Sequence, residues 1–145
     1  MRYAARIGLT TIVAVLSLVA CTPVSTDYER EHEPAEVEPI EGTDVSRVIL
    51  EAKAAERLGI QTVPVRPMEG SATQLVIPYG AVLYDAEGDT WTYTSPAHLT
   101  YVRESISVES IEGDEAVLSE GPSSGTEVVS VGVAELFGAE TGVGH

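Results

Sequence analysis

Residues 81–94, AVLYDAEGDTWTYT, contain two short β-prone runs separated by a polar turn. One run precedes the turn at 82–84, the other follows it at 91–93, and Gly88 lies within the turn. Runs rich in valine, threonine and aromatic residues that flank a glycine-containing turn are typical of a β-hairpin. This stretch therefore predicts an antiparallel pair of strands and a domain built mainly from β-structure.

A second segment repeats the pattern at 99–121, LTYVRESISVESIEGDEAVLSEG. Alternation places Val102, Ile106 and Val108 on one face of a strand, and EGD at 112–114 provides the turn before the run AVL. We expect a second hairpin here.

One helix is predicted, from Glu51 to Gly59. It places Ala54, Ala55 and Leu58 on one side, and a glycine at its end can adopt the left-handed conformation that closes helices. The remaining predicted elements are strands at 47–50, 60–65, 73–77 and 127–131, with a short turn or helix at 133–137.

The predicted fold is mainly β, a small β-roll or open barrel with one short helix. It occupies residues 44–145, about a hundred residues, which is enough for one small domain. In the strand at 60–65, Pro64 favours an edge position or a bulge, because proline cannot donate a ladder hydrogen bond.

The region before this domain is densely acidic. The stretch DYEREHEPAEVEPIEG at 27–42 holds seven carboxylates, two prolines and few large apolar residues, a composition typical of disordered chain. We therefore interpret residues 21–43 as an acidic flexible linker, and we expect deletion of 27–41 to leave the domain's stability nearly unchanged. One imidazole among mobile carboxylates, as in Glu31-His32-Glu33, is a poor metal site, so no metal ligand is predicted.

The first twenty residues have the pattern of an export signal. Arg2 and Arg6 provide a positive head, and residues 7–20 form an apolar run that is shorter than the ~20 residues that span a bilayer. We expect residues 1–20 to be removed as a signal peptide.

Leu18-Val19-Ala20-Cys21 resembles a bacterial lipobox, in which the cysteine receives a diacylglyceryl group and becomes the new N-terminus. Cys21 is the only cysteine in the chain, so it cannot form an internal disulfide. The prediction is a lipoprotein lipidated at Cys21 and anchored in a cell membrane, facing the extracytoplasmic side. The alternatives are an ordinary cleaved signal and an uncleaved N-terminal anchor.

The chain carries a formal net charge of −15, and removal of the two signal arginines makes the remainder more acidic still. Nucleic-acid binding depends on Lys and Arg that neutralise phosphates. The charge therefore excludes nucleic acid as a partner.

Three segments together resemble the membrane-proximal domain of periplasmic adaptor proteins, also called membrane fusion proteins, of efflux pumps. They are RVILEAKAAERLGIQTVPV at 47–65, VIPYGAVLYDAEGDTWTYT at 76–94, and residues 101–108 followed by AVLSEGPSSGTEVVSVGVAEL at 116–136. The resemblance implies a domain that lies near the membrane and packs against the extracytoplasmic part of a transporter.

The chain departs from complete adaptors between the two halves of this domain. There, adaptors carry a long insertion that includes an α-helical hairpin, whereas RPMEGSATQ at 66–74 is the only link in this sequence. Because coiled-coil heptads are absent from the sequence, we expect no arm that reaches an outer-membrane channel.

Two functional hypotheses remain, an interaction module and a ligand-binding protein. The first is an adaptor-like accessory module, attached to the membrane by its lipid, that contacts an efflux or export transporter of the resistance-nodulation-division or ABC type. The second is a stand-alone lipoprotein that binds a small molecule or metal. An aromatic-lined pocket would favour the second, although packing is the ordinary role of aromatics on strands; the candidates are Tyr79, Tyr84, Trp91, Tyr93 and Tyr101.

Catalysis is not predicted. His98 and Ser95 lie in a turn-like segment without a nucleophile motif such as G-x-S-x-G, and no cofactor-binding motif is recognised. Exposed hairpin ends are the expected contact surface for a transporter. Self-association into a homo-oligomer is left open. The predicted contact residues are Asp85, Glu87, Asp89, Glu112, Asp114, Ser123 and Ser124.

Overall fold

The computed structural model describes residues 33–71 and 73–142 of the 145-residue chain. The described residues form eleven strands, two helices and one 3₁₀ turn. In chain order these are β1 (Ala35–Pro39), β2 (Ser46–Leu50), α1 (Ala52–Leu58), β3 (Gln61–Pro64), β4 (Arg66–Pro67), β5 (Leu75–Pro78), the 3₁₀ turn (Tyr79–Ala81), β6 (Leu83–Tyr84), β7 (Thr90–Ala97), β8 (Thr100–Ser105), β9 (Ser107–Glu112), β10 (Glu115–Glu120), β11 (Glu127–Val131) and α2 (Val133–Thr141).

The strands form two antiparallel sheets. The larger sheet has the order β1-β2-β8-β7-β11-β3, with β6 also paired to β7, and the smaller has the order β4-β5-β10-β9. The prediction of a mainly β domain is confirmed, and the described sheets do not close into a barrel. Of the two positions predicted for Pro64, the structure shows the first, since β3 is an edge strand.

Both predicted hairpins are present. In the first, Leu83 pairs with Trp91 across the turn that contains Gly88, and in the second, β9 pairs with β10 across the turn at 112–114. The strand predicted to carry Val102, Ile106 and Val108 on one face is instead divided at Ile106. Because β8 joins the larger sheet and β9 the smaller, the chain passes from one sheet to the other at this buried residue.

Two apolar clusters give the domain three layers. One face of the larger sheet packs on the helices through a cluster, called the helix-side cluster below, that includes Val48, Tyr93 and Leu136. The opposite face packs on the smaller sheet through Val128, Ile77 and others. This arrangement follows from the alternation of side chains along strands, which in β11 sends Val128 and Val129 to opposite faces.

The prediction of a single helix is wrong, although α1 itself is confirmed and ends at Gly59 in the left-handed conformation (φ 65°). The short element predicted at 133–137 is a helix that extends to Thr141. Burial of Val133 and Leu136 against the larger sheet stabilises α2, and such packing outweighs the low helix propensity of Gly138 in its interior.

The interpretation of residues 21–43 as a flexible linker is wrong for its last part. Ala35–Pro39 is a strand that pairs with β2 in five registered positions, from Ala35 opposite Leu50 to Pro39 opposite Ser46. Ala35 packs on the helix-side cluster. Deletion of 27–41 would remove this strand, so we expect that deletion to lower the stability of the domain, contrary to the prediction from the sequence.

Candidate functional site

A groove of about 850 Å³ lies between β1, α1 and α2. Each of these elements contributes small or aliphatic side chains to its walls, and Leu50, at the end of β2, also lines it. Leu50 and Ala54 are buried, whereas Leu58 and Ala134 are exposed. The uncharged wall residues are Pro34, Ala35, Val37, Leu50, Ala54, Leu58, Ala134, Gly138 and Ala139.

Three exposed charged residues also line the groove. Glu33 contributes from the segment before β1, Arg57 from α1 and Glu135 from α2. The groove is therefore an apolar surface with two acids and one base, on a chain whose net charge is −15.

A buried ionic contact fixes the end of α2. The carboxylate of Glu140 accepts a hydrogen bond from the backbone N–H of Ser46 (3.0 Å) and another from the Tyr93 hydroxyl. Arg103 Nε lies 3.3 Å from the same carboxylate, and the two side chains are 10% and 3% exposed. Within the described part of the chain this Nε has no hydrogen bond of good geometry, so the contact is an ion pair without an aligned hydrogen bond. It holds α2, one wall of the groove, against the larger sheet.

Aromatic rings complete the surroundings of Arg103. Its guanidinium lies 4.4 Å from the ring centre of Trp91 and 5.5 Å from that of Phe137. Such cation–π contacts are attractive and strengthen where water is excluded. Trp91 therefore packs on Arg103 and does not line the groove.

Burial and the contacts of Glu140 and Trp91 shift the pKa values of Tyr93 and Asp85. Burial, followed by the hydrogen bond to Glu140 and the charge of Glu140, raises the pKa of Tyr93 well above its ordinary value near 10. The hydrogen bond from Trp91 Nε1 (2.7 Å) lowers the pKa of Asp85, and backbone N–H groups of the same turn add to this effect.

Asp85, predicted as a contact residue, holds its own turn together. Its Oδ1 accepts hydrogen bonds from the backbone N–H groups of Glu87 (3.1 Å) and Asp89 (2.8 Å), while Oδ2 accepts from Trp91. This is the Asx-type use of aspartate in turns. Glu87 and Asp89 are exposed, as a contact surface requires.

The other predicted contact residues lie on two separate loops. Glu112 ends β9, Asp114 lies in the turn before β10, and Ser123 and Ser124 lie in the loop after this strand; all four are exposed. A six-residue strand spans about 20 Å, so β10 keeps these loops apart. The predicted contact residues therefore do not form one continuous surface.

The groove is also remote from the turn of Asp85. Leu50, in the groove, donates its backbone N–H to Leu99 O (2.9 Å) in the turn that follows β7, whereas Asp85 precedes β7. The eight residues of β7 separate these positions by about 25 Å.

The aromatic candidates for a ligand pocket are dispersed. Tyr93 and Tyr101 are buried in the helix-side cluster, Trp91 contacts Arg103, and Tyr79 and Tyr84 are 47% and 51% exposed. None of the five lines the groove. Packing, the ordinary role of aromatics on strands, accounts for the two that are buried.

His98 and Ser95 line a shallow depression of about 520 Å³ between α1 and the β7–β8 turn. The Ser95 hydroxyl donates to Ala97 O (3.2 Å), and His98 is exposed. In residues 33–71 and 73–142, no group of three or more His, Cys, Asp or Glu is arranged to hold a metal ion.

Cys21 lies outside the described residues, so its predicted lipidation stays a prediction. Among the helices of the described part of the chain, none has the length and apolar character needed to cross a membrane.

Sequence reasoning missed the groove because its walls come from three separate elements. Two local signals for these walls were present: Ala54 and Leu58 on one side of α1, and the alternation of Ala35 and Val37 with glutamates in β1. Neither signal reveals that α2 lies beside them.

The chain was compared with protein-family models, with curated proteins and with solved structures, and none of the three comparisons gave a match.

Proposed function

We propose that this chain is a lipid-anchored extracytoplasmic module that binds a component of a membrane transporter through the groove between β1, α1 and α2. The anchor is the predicted lipid on Cys21. The resemblance to adaptor proteins supports the choice of a transporter as partner.

The observation that carries this proposal is the position of the groove along the chain. Glu33 and Ala35 line it, and Glu33 follows Cys21 by only twelve residues. Twelve residues span at most about 40 Å when fully extended. A lipid on Cys21 would therefore keep the groove within about 40 Å of the membrane surface, where the extracytoplasmic part of a transporter is accessible.

A second candidate is the binding of an apolar small molecule in the same groove. Its volume of about 850 Å³ lies within the range of ligand pockets, roughly 300–1,000 Å³. Such a ligand would compete with the transporter component for one surface, so the two candidates are distinguished by what occupies the groove.

The test begins with the anchor. Mass spectrometry of the protein extracted from membranes of its own cells should find a lipidated N-terminal Cys21, and Cys21→Ser should release the protein from the membrane. An unmodified Cys21 or an intact Met1 would refute the anchor.

Docking is tested by chemical crosslinking in intact cells, followed by identification of the captured proteins. The expected partner is a subunit of a transporter, recovered with the wild type and lost with Cys21→Ser. If the wild-type protein crosslinks to no transporter subunit, and the purified protein carries a bound small molecule instead, the second candidate replaces the first.

A further inference from the structure

We infer that the partner segment in the groove is a basic amphipathic helix, whose apolar face lies against α1 and α2 and whose cationic side chains approach Glu33 and Glu135. This inference rests on the proposed function and specifies the chemistry of its partner.

The form of the groove favours a helical segment. Two of its walls are helices, and the side chains they present include Ala54, Ala134 and Ala139. Small side chains allow close approach, because the distance between helix axes depends on the size of the residues at the contact. An amphipathic helix that places its apolar face in a hydrophobic groove is a recurrent mode of peptide recognition.

The charge of the protein favours a basic partner. The groove has two acids to one base, and the whole chain carries −15. A field of this sign attracts cationic segments and repels acidic ones before contact. Glu33 and Glu135 are exposed, so they can pair with lysine or arginine without the cost of burying an unpaired carboxylate.

Substitutions at Arg57 and at Glu135 should change the affinity for a basic helix in opposite directions. Among the described residues, Arg57 is the one basic residue that lines the groove. Replacing it by glutamate would remove the repulsion it exerts on a basic helix, whereas replacing Glu135 by lysine would remove an attraction and add a repulsion.

The probe is a fluorescent synthetic helix of about 15 residues with leucines on one face and lysines on the other; its counterpart carries glutamates in place of the lysines. Each is titrated into the full chain in nanodiscs of zwitterionic lipid, with empty nanodiscs as the blank. We expect the lysine peptide to bind at least about tenfold more tightly than the glutamate peptide.

Substitutions locate the binding. Glu135→Lys should weaken the lysine peptide about threefold or more near 50 mM salt, and the loss should shrink near 500 mM salt because exposed charges are screened. Arg57→Glu should strengthen binding, and Ala134→Trp should block it by filling the groove. Glu56→Lys is the matched control, since Glu56 is an exposed acid on α1 that does not line the groove. Equal effects of Glu135→Lys and Glu56→Lys, or tighter binding of the glutamate peptide, would overturn the inference.

A photoreactive residue introduced in the full chain in cells separates this inference from the proposed function. Placed at Ala134, it should capture a basic helical segment of a transporter subunit, and placed at Glu87 it should capture none. If the photoreactive residue at Ala134 captures an acidic or non-helical segment of a transporter subunit, the inference is refuted and the proposed function stands. Capture from Glu87 alone would refute both the inference and the groove as the docking site, but not transporter binding.

Discussion

Replacement of Glu140 by alanine should strongly destabilise the domain. The substitution removes the acceptor of the Ser46 N–H and of the Tyr93 hydroxyl, and it leaves Arg103 without its carboxylate partner. Removing one member of a buried ion pair costs about 3–5 kcal/mol, because the remaining charge stays desolvated. A domain of this size has a free energy of unfolding of about 5–15 kcal/mol, so the loss would be roughly a fifth or more of the total.

Urea unfolding followed by circular dichroism measures this loss. With a denaturant slope of roughly 1–3 kcal/mol per molar urea, the midpoint should fall by about 2 M. Glu135→Ala is the matched control on the same helix; Glu135 is exposed, and such surface changes stay within about 0.5 kcal/mol. Adding Arg103→Met to Glu140→Ala should recover part of the stability, because no unpaired buried charge then remains.

Unfolding of Glu140→Ala at the same urea concentration as Glu135→Ala would refute a stabilising role for the contacts of Glu140. A double substitution that costs the full sum of its two single changes would mean that Arg103 and Glu140 do not interact.

Three further predictions concern stability. Thr92 is wholly buried and its Oγ1 has no hydrogen-bond partner among the described residues, so Thr92→Val should raise the free energy of unfolding by about 1 kcal/mol; a lower melting temperature would contradict this. Gly59 and Gly132 both have positive φ, but only at Gly132 would a Cβ clash with Ile60 Cδ1. Alanine should therefore cost about 1–2 kcal/mol at Gly59 and more at Gly132 in urea unfolding, and equal losses would refute the role of the contact. Because the pKa of Tyr93 is raised in the folded state, the unfolded state loses this proton first, and the free energy of unfolding should fall as pH rises above about 10. Tyr93→Phe should make that fall shallower. An unchanged slope of stability against pH would exclude Tyr93 as its source.

Local patterns in the sequence predicted the elements that depend on local chemistry. Gly88 and the EGD turn at 112–114 identified both hairpins, and Gly59 identified the end of α1. Glycine in a polar turn and alternation along a strand act within a few residues, so one sequence is enough to recognise them.

The predictions for β1 and α2 were wrong because contacts distant in the sequence decide the structure of these elements. β1 was interpreted as linker because its glutamates hid the alternation of Ala35 and Val37, which becomes favourable only when β2 lies alongside. The end of α2 is held by Glu140, whose partners lie 94, 47 and 37 positions earlier in the chain. No pattern within a short window contains these relations.

Amide hydrogen exchange of the full chain, with and without the transporter subunit recovered by crosslinking, tests the central claim most directly. If the groove is the docking surface, peptides that cover β1, α1 and the first turns of α2 should exchange more slowly in the complex, while the turn of Asp85 and the loop of Ser123 should exchange as before. Protection of those two loops with unchanged exchange in β1, α1 and α2 would contradict the account.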